Sequence, residues 1–360
     1  MRVVVVGATG NVGTAVLRRL GREPGVDEVT GVARRAPGTV APYAGVTWSQ
    51  IDVGGPHAVN ELTNAFAGAT TVIHLAWQIQ PSHDRARIRR TNVEGTANVA
   101  QAAIRASVPS LVVASSVGAY APAPKGHPVD EDWPTTGVRG STYSRDKADV
   151  EDLLTDVEMA NSDLRVVRLR PGLVFQPAAA SQIARFFVGP LVPLSLLRFG
   201  RIPVLPTGPR LRVQAVDADD VAEAYVRAAM SDVRGAFNVA AAEPVLDAQS
   251  VATQFRARPL PVPVDVLRLA ASLTWHARLQ PTEPGWIRLL ANAPLMSCRR
   301  AEIELGWRAR SSALDAFTAL VEAMAAGTGA DSPPLRPRPS PAARALGLLT
   351  CRLPGHGNPY

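Results

Sequence analysis

Short apolar runs alternate with amphipathic stretches in the first half of the chain. Residues 2–6 are rich in valine, which favours strands, and the run is too short to cross a membrane, so a buried strand is predicted. Apolar residues then recur at helical spacing up to Leu20. Further strands, with helices between them, are predicted near Val29, Val46, Val72, Leu111 and Arg165. This alternation indicates an α/β fold with a doubly wound parallel sheet.

The alternation ends near Phe175. Prolines recur between residues 190 and 209, which indicates loops and short elements. A helix is predicted to open within residues 216–224, where Asp220 is available as its cap, and residues 236–240 predict a returning strand. We therefore expect the sheet to be interrupted by a second, smaller lobe.

Three glycines follow the first predicted strand directly. Gly7, Gly10 and Gly13 lie three residues apart, and a predicted helix follows them. Glycines let the backbone approach a pyrophosphate, and the amino end of a helix attracts its negative charge. The order of strand, turn and helix therefore predicts a dinucleotide-binding turn. The spacing departs from the commoner Gly-x-Gly-x-x-Gly, and the alternative is a plain strand-to-helix turn.

Lysine is rare in this chain. Of the 38 lysines and arginines, only Lys125 and Lys147 are lysines. Lys147 follows Tyr143 by four residues, so in a helix the ammonium and the phenol lie on one face, one turn apart. A nearby cation lowers the pKa of a phenol, and a compact ammonium fits beneath it better than a guanidinium. The pair is therefore a candidate for acid/base chemistry.

The glycine spacing and the Tyr143 and Lys147 pair together resemble the short-chain dehydrogenase/reductase superfamily. Further motifs resemble its extended branch, the NAD-dependent epimerase/dehydratase family: residues 115–120 match the serine motif, and residues 92–99 match the Asn-Val-x-Gly-Thr helix. Residues 72–76 look like the fourth strand of that family. The resemblance implies a Rossmann fold with a smaller, discontinuous C-terminal substrate lobe, and an NAD(P)-dependent enzyme.

The resemblance also implies the catalytic residues, which are Ser116, Tyr143, Lys147 and Asn92. A carbonyl that receives hydride needs a proton on its oxygen, which Tyr143 can supply, while Ser116 donates a hydrogen bond to that oxygen. Lys147 would lower the pKa of the phenol and bind the nicotinamide ribose. The structural alternatives are a helix-start aromatic for Tyr143, a strand-end hydroxyl for Ser116 and a helix cap for Asn92.

Cofactor contacts are expected along the glycine turn, the strand ends and the catalytic helix. The implied residues are Gly7, Thr9, Gly10, Asn11, Val12, Gly13, Arg34, Arg35, Asp52, Val53, Leu75, Ala76, Tyr143, Lys147, Pro171 and Val174. Enzymes that use NAD place an acid after the second strand to hold the ribose hydroxyls. Ala33 has that place here, and Arg34 and Arg35 follow it, which suits a 2′-phosphate. We predict that NADP is preferred and that NAD is possible.

The substrate is predicted from two departures from the family pattern. Residues 168–174 carry Pro-Gly where nucleotide-sugar enzymes commonly have an asparagine, and Asp217 stands in place of a histidine. Both resemble the ketone and alcohol oxidoreductases of the family, and the apolar residues 186–197 suit a less polar substrate. We expect hydride transfer between nicotinamide and a small carbonyl or alcohol. The alternatives are a nucleotide-sugar epimerase or dehydratase, and a non-catalytic NAD(P)-binding sensor, since Val6 replaces a threonine as in some sensor-like relatives.

The predicted domains follow from these assignments. Residues 1–174 with about 214–242 form the NAD(P)-binding domain, and residues about 175–213 with 243–326 form the substrate-binding lobe. Residues 327–360 are rich in proline, alanine and arginine, so a flexible tail is predicted there.

Composition and charge limit the kinds of partner that we expect. The net charge is +7, but no basic cluster is interleaved with stacking aromatics, so nucleic-acid binding is not expected. Apolar runs are too short for an integral membrane segment, no signal sequence precedes Gly7, and two cysteines fit a reducing compartment, so a cytoplasmic location is predicted. The histidines are scattered, so no metal site is expected. A small-molecule substrate is the predicted partner, and a homodimer is possible.

Overall fold

The computed structural model describes residues 1–79, 82–188, 204–241, 245–277, 279 and 283–337. Within this described part, seven strands form one parallel sheet. They are β1 (Arg2–Val6), β2 (Glu28–Ala33), β3 (Thr47–Gln50), β4 (Thr71–His74), β5 (Ser110–Ala114), β6 (Arg165–Pro171) and β7 (Gly235–Val239). The predicted doubly wound parallel sheet is confirmed.

The order of strands across the sheet positions the site. It runs β7, β6, β5, β4, β1, β2, β3. The order in which strands are added to the sheet therefore reverses between β1 and β4. Val3 of β1 pairs with Val29 of β2 on one side and with Thr71 of β4 on the other. In such sheets ligands bind in the crevice beyond the carboxyl ends of the strands, at the point where the order reverses.

Helices cover both faces of the sheet. The helices that flank it are α1 (Asn11–Leu20), α2 (Ala58–Phe66), α3 (Arg85–Arg89), α4 (Gly95–Arg105), α5 (Thr142–Ala160) and α7 (Ala218–Met230). On one face, Leu17 of α1 and Tyr225 of α7 pack against the sheet. On the other face, Phe66 of α2 and Leu154 of α5 do so. Valines of β1 contribute to both cores, which is why this strand is apolar at every position except its first.

The remaining described elements form a smaller part of the molecule. Its helices are α6 (Ala180–Ile183), α8 (Ala248–Phe255), α9 (Val264–His276), α10 (Pro284–Asn292) and α12 (Ala313–Ala326), while α11 (Arg299–Glu304), between the last two, packs against the core of the sheet. Its short strands are Leu173–Phe175, Val204–Thr207, Arg212–Val213, Ala215–Asp217, Leu246–Asp247 and Arg258–Pro261. Phe255 and Phe317 meet edge to face at 5.7 Å between ring centroids, in a separate apolar cluster.

Two segments pack differently from the predicted domain boundaries. Ala301 and Leu305, placed by prediction in the substrate lobe, join the core beneath α7, and the adjacent Trp307 is almost fully buried there. Residues 328–337, the start of the predicted flexible tail, are packed against the protein, with Leu335 fully buried. Residues 338–360 lie outside the described residues, as do residues 189–197 of the apolar stretch.

The helix α7 begins one turn earlier than its predicted cap. Asp217 is the N-cap, and its side chain accepts from the Asp219 amide. Asp220 lies inside the helix, where its carboxylate accepts from the backbone amides of Arg310 and Ser311. The predicted cap is therefore wrong, because a tertiary contact uses the Asp220 carboxylate. No helix among the described residues is long and apolar enough to cross a membrane.

Candidate active site

A groove of about 460 Å³ lies beyond the carboxyl ends of β1, β2 and β4. It brings together nine of the predicted cofactor residues, which are Gly7, Thr9, Gly10, Arg34, Arg35, Asp52, Val53, Leu75 and Ala76. These residues come from four separate stretches of sequence, and the parallel sheet places all four at one edge. The groove therefore forms where the strand order reverses.

The three glycines of the turn are needed for different reasons. Gly7 has a φ of +86° and packs so closely that a Cβ would lie 2.5 Å from the Ala76 amide nitrogen. A Cβ on Gly13 would lie 2.4 Å from the Gly7 carbonyl oxygen. A Cβ on Gly10, in contrast, would meet only the Gly7 oxygen within 4 Å, at 3.4 Å. Gly7 and Gly13 thus close the turn, while Gly10 keeps the groove open at the amino end of α1.

Other predicted cofactor residues lie outside the lining of the groove. The side-chain amide of Asn11 donates to the Val174 carbonyl at 3.1 Å, and the side-chain amide of Gln176 donates to the Asn11 side-chain oxygen at 2.8 Å. Val12 packs against the core on the α1 side. Pro171 is the last residue of β6. These residues, with Gly13, do not line the groove, and the hydrogen bonds of Asn11 hold the glycine turn to the segment after β6.

Arginines gather at the end of β2. Burial lowers the pKa of Arg34; nearby Asp52 opposes this effect, while the charges of Arg35 and Arg87 add to it. A second cavity of about 320 Å³ adjoins the groove at Arg34 and Asp52 and is also lined by Arg87 and Arg90. Three arginines and two aspartates, Asp52 and Asp84, line this cavity, so its excess of positive charge suits an anionic group. Arg87 was not singled out from the sequence, because only the fold brings α3 beside the end of β2.

Tyr143 lies in the first turn of α5. Ser141 caps this helix by accepting from the Ser144 amide. The ring passes directly over Gly118, where a Cβ would come within 2.7 Å of it. Burial raises the pKa of the Tyr143 phenol to about 12, and the nearby Ser116 hydroxyl opposes this effect. The predicted pair of Ser116 and Tyr143 is therefore assembled by the fold.

Lys147 is buried one turn further along α5, with 2% of its surface exposed. Its ammonium donates to the Ala114 carbonyl at 2.7 Å and lies 3.4 Å from the centroid of the Trp77 ring. Burial lowers the pKa of Lys147 to about 7, although Glu151 and Asp146 oppose this effect. The sequence predicted that Lys147 lowers the pKa of Tyr143. In this structure the ammonium faces Trp77 instead and lies 6.0 Å from the centroid of the Tyr143 ring.

Asn92 is buried in a π-helical turn, Arg90–Glu94, between α3 and α4. Its side-chain amide donates to the Gln78 carbonyl at 3.0 Å, and its oxygen accepts from the Gln78 amide at 2.7 Å. Both ends of the carboxamide therefore hold the segment after β4. Asn92 therefore fixes the backbone at Gln78, next to Trp77, and it is not the helix cap considered from the sequence.

The residues around the site fit a dinucleotide. Trp77 and Gln78 line the groove, and each has a buried donor, Nε1 and Nε2 respectively, without a hydrogen-bond partner among the described residues. Buried donors without partners are costly, and a ligand with many acceptors can satisfy them. The open face at Gly10 and the arginines after β2 would receive its phosphates.

An aromatic cluster beside Tyr143 was not predicted from the sequence. The Trp286 ring lies 4.8 Å from the Tyr143 ring, Trp77 lies edge-on at 6.0 Å, and Phe187 lies edge-on to Trp286 at 5.2 Å. Trp286 is on α10 and Phe187 follows α6, so these rings come from distant parts of the chain. No sequence pattern indicated that they would meet.

The fold and the groove define a Rossmann-type dinucleotide-binding protein. Residues 3–240 match the model of the NAD dependent epimerase/dehydratase family, and the chain belongs to that family. It is an NAD(P)-dependent enzyme of the oxidoreductase type. The match spans the seven strands of the sheet almost completely.

The chain is similar to several characterised proteins. It is 30% identical over 321 residues to a 3-diazoavenalumate denitrifying reductase of a Streptomyces species, covering 86% of this chain and 96% of the relative. Its fold is that of the UDP-glucose 4-epimerase of Thermotoga maritima, with a TM-score of 0.68 and 19% identity over 90% of this chain and 98% of the other. The UDP-glucose 4-epimerase of Thermus thermophilus, solved with NAD, has a TM-score of 0.65 and 24% identity over 91% and 99%.

Proposed function

We propose that this enzyme transfers hydride between NADP and a small, weakly polar carbonyl or alcohol, with Tyr143 as the acid and base. The observation that supports this most strongly is that Ser116 lies close enough to Tyr143 to lower the pKa of its phenol, with Lys147 buried one helical turn further along α5. A sensor that only binds the dinucleotide would not need this set of side chains. The intact set therefore favours catalysis.

The chemistry divides between the cofactor and the chain. When bound, the nicotinamide supplies or accepts the hydride. In reduction, the Tyr143 hydroxyl gives its proton to the substrate oxygen, and in oxidation the phenolate takes it back. The Ser116 hydroxyl donates a hydrogen bond to the same oxygen as charge develops there. The Lys147 ammonium donates to the Ala114 carbonyl and so holds the end of β5, two residues before Ser116.

The aromatic cluster supports a weakly polar substrate. Trp77 and Trp286 place apolar ring surface beside the phenol, Phe187 packs on Trp286, and Val138 and Leu289 extend this apolar cluster. Such walls bind flat or apolar molecules well and satisfy few sugar hydroxyls. The Streptomyces relative is named as a reductase, which agrees with reduction rather than epimerisation.

The test is turnover by a Tyr143→Phe variant. We expect the wild type to oxidise NADPH in the presence of aryl or alkyl carbonyls, and the variant to lose at least about 100-fold in kcat, the usual contribution of a general acid. Dinucleotide affinity should be retained. Tyr43→Phe is the control, because the Tyr43 hydroxyl bonds Thr14 in the core. Undiminished turnover without the Tyr143 phenol refutes the mechanism, and epimerisation of a UDP-sugar without net NADPH oxidation refutes the reductase.

The preference for NADP is supported by the charges at the end of β2. The charges of Arg35 and Arg87 both act on Arg34, so a 2′-phosphate beside Arg34 would relieve that repulsion. We expect Arg34→Ala to weaken NADPH binding by about tenfold and to change NADH binding little, the effect of one charge-assisted contact. Titration of both dinucleotides by calorimetry measures this. Tighter binding of NADH than NADPH by the wild type would contradict the preference.

A further inference from the structure

The segment 328–337, here called the strap, borders the cofactor groove. The Ser332 hydroxyl donates to the Thr9 carbonyl at 2.9 Å, and Ser332 is 1% exposed. The Gly38 amide donates to the Asp331 carbonyl at 2.9 Å. The strap is thus bonded to the glycine turn and to the loop after β2, two parts of the dinucleotide site that lie about 300 residues away in sequence.

The other end of the strap is bonded to the segment after α6. Arg185 donates to the carbonyls of Pro334 and Arg336, at 2.7 and 3.0 Å. A short 3₁₀ turn, Pro333–Leu335, buries the Leu335 side chain completely. Such a segment has a defined conformation, because its backbone and its apolar side chain are both engaged.

The strap also forms part of the groove wall. Pro333, Pro334 and Arg336 line the same cavity as Gly7 and Gly10. With Arg336 included, four arginines line this cavity, the others being Arg34, Arg35 and Arg185, and Asp52 is its acidic residue. A pyrophosphate is doubly negative, so a positive wall facing an open helix N-terminus is suited to it.

We propose that the strap is part of the dinucleotide-binding site, and that Arg336 contributes a positive charge to the binding of the cofactor phosphates. Pro333 and Pro334 limit access of water to the groove, and Ser332 fixes the strap to the glycine turn. The assignment rests on the cofactor named in the proposed function. It does not depend on the identity of the carbonyl substrate.

Dinucleotide affinity in strap variants tests the proposal. NADPH and NADH are titrated by calorimetry into the full chain, into Arg336→Ala, into a chain that ends after Thr328, and into a control chain that ends after Pro337. We expect Arg336→Ala to weaken both dinucleotides by about fivefold to tenfold, as for one charge-assisted contact, with a smaller difference at high salt. Removal of the strap should weaken binding further, and the Pro337 control should bind like the full chain.

Arg22→Ala is the matched charge control, because Arg22 is exposed at the far end of α1. Unchanged or tighter binding by Arg336→Ala overturns the proposal, and tighter binding by the shortened chain would mean that the strap blocks the groove. If the Thr328 chain fails to fold by circular dichroism, Arg336→Ala decides alone. Binding is measured without turnover, so an enzyme that binds NADPH but reduces no carbonyl refutes the proposed reaction and leaves the strap supported. A wild type that binds neither dinucleotide refutes both.

Discussion

Both lysines of this chain donate to backbone carbonyls. Lys147 bonds Ala114, while Lys125 bonds Leu290 and Ala293 at the end of α10, where a cation is favoured by the helix dipole. Burial lowers the pKa of Lys147 to about 7 and that of Lys125 to about 8. The helical spacing of Tyr143 and Lys147 was predictable, but their pKa values were not, because burial depends on side chains such as Trp77 that come from other elements.

The Lys147→Met variant should change how stability depends on pH. The folded-state pKa of Lys147, about 7, lies below its ordinary value of 10.5, so between these values the unfolded chain binds more protons. Lys147 therefore makes the free energy of unfolding rise with pH from about 7 to about 10.5, by at most about 1.4 kcal/mol per pH unit. Urea unfolding at pH 7, 8.5 and 10 measures this.

In Lys147→Met this rise should be absent, and the variant should gain most, relative to wild type, at the lowest pH. Lys125→Met is the comparison, for which the corresponding window begins near pH 8. An equal pH slope in wild type and Lys147→Met would contradict the assigned pKa.

At the scale of elements, strand–turn–helix order identified the glycine turn correctly, and the structure distinguishes its glycines. Gly13 packs against the carbonyl of Gly7, whereas Gly10 faces the open side. The N-cap of α7, in contrast, could not be predicted from local sequence. Asp217 and Asp220 are equally good caps by type, and the choice between them follows from amides of residues 310 and 311 that bind Asp220. The residues that determine which aspartate caps the helix lie about 90 positions after Asp220 in the sequence.

Alanine at Gly10 and at Gly13 should have opposite effects. Gly13→Ala forces a Cβ against the backbone of Gly7 and Ala8, so we expect a loss of stability of about 2 kcal/mol or more. Gly10→Ala adds a methyl group towards the groove, so it should keep the melting temperature within a few degrees and weaken NADPH binding at least about tenfold. Thermal unfolding and calorimetric titration separate the two. A destabilised Gly10→Ala that binds normally would reverse the assignment.

The whole molecule assembles its cofactor groove from both ends of the chain. The glycine turn, the end of β2, the segment after α6 and the strap meet there, although the strap was predicted to be flexible from its composition. Proline-rich composition indicates a low tendency to form helices, but it does not exclude a segment that packs through Leu335 and its backbone. The predicted homodimer and cytoplasmic location stay predictions.

Cofactor binding should stabilise the whole fold. A dinucleotide that joins these separated segments binds the folded state alone, so NADPH at a hundred times its Kd should add about 2.7 kcal/mol to the free energy of unfolding. For a chain of this size we expect the melting temperature to rise by roughly 5 °C. Differential scanning fluorimetry with NADPH measures it, and free adenosine serves as the control ligand. An unchanged melting temperature at saturating NADPH would argue against the groove as its site.

The sequence by itself determined the alternating α/β order and the position of the glycine turn, and it predicted Ser116, Tyr143 and Lys147 as site residues, because each depends on local spacing or on a motif held within one element. Only the tertiary structure decided which arginines converge, which rings surround Tyr143, how burial shifts the pKa values and where the strap lies. These features arise from contacts between residues far apart in the chain. Their distances and solvent exposure are set by packing, which no local pattern encodes.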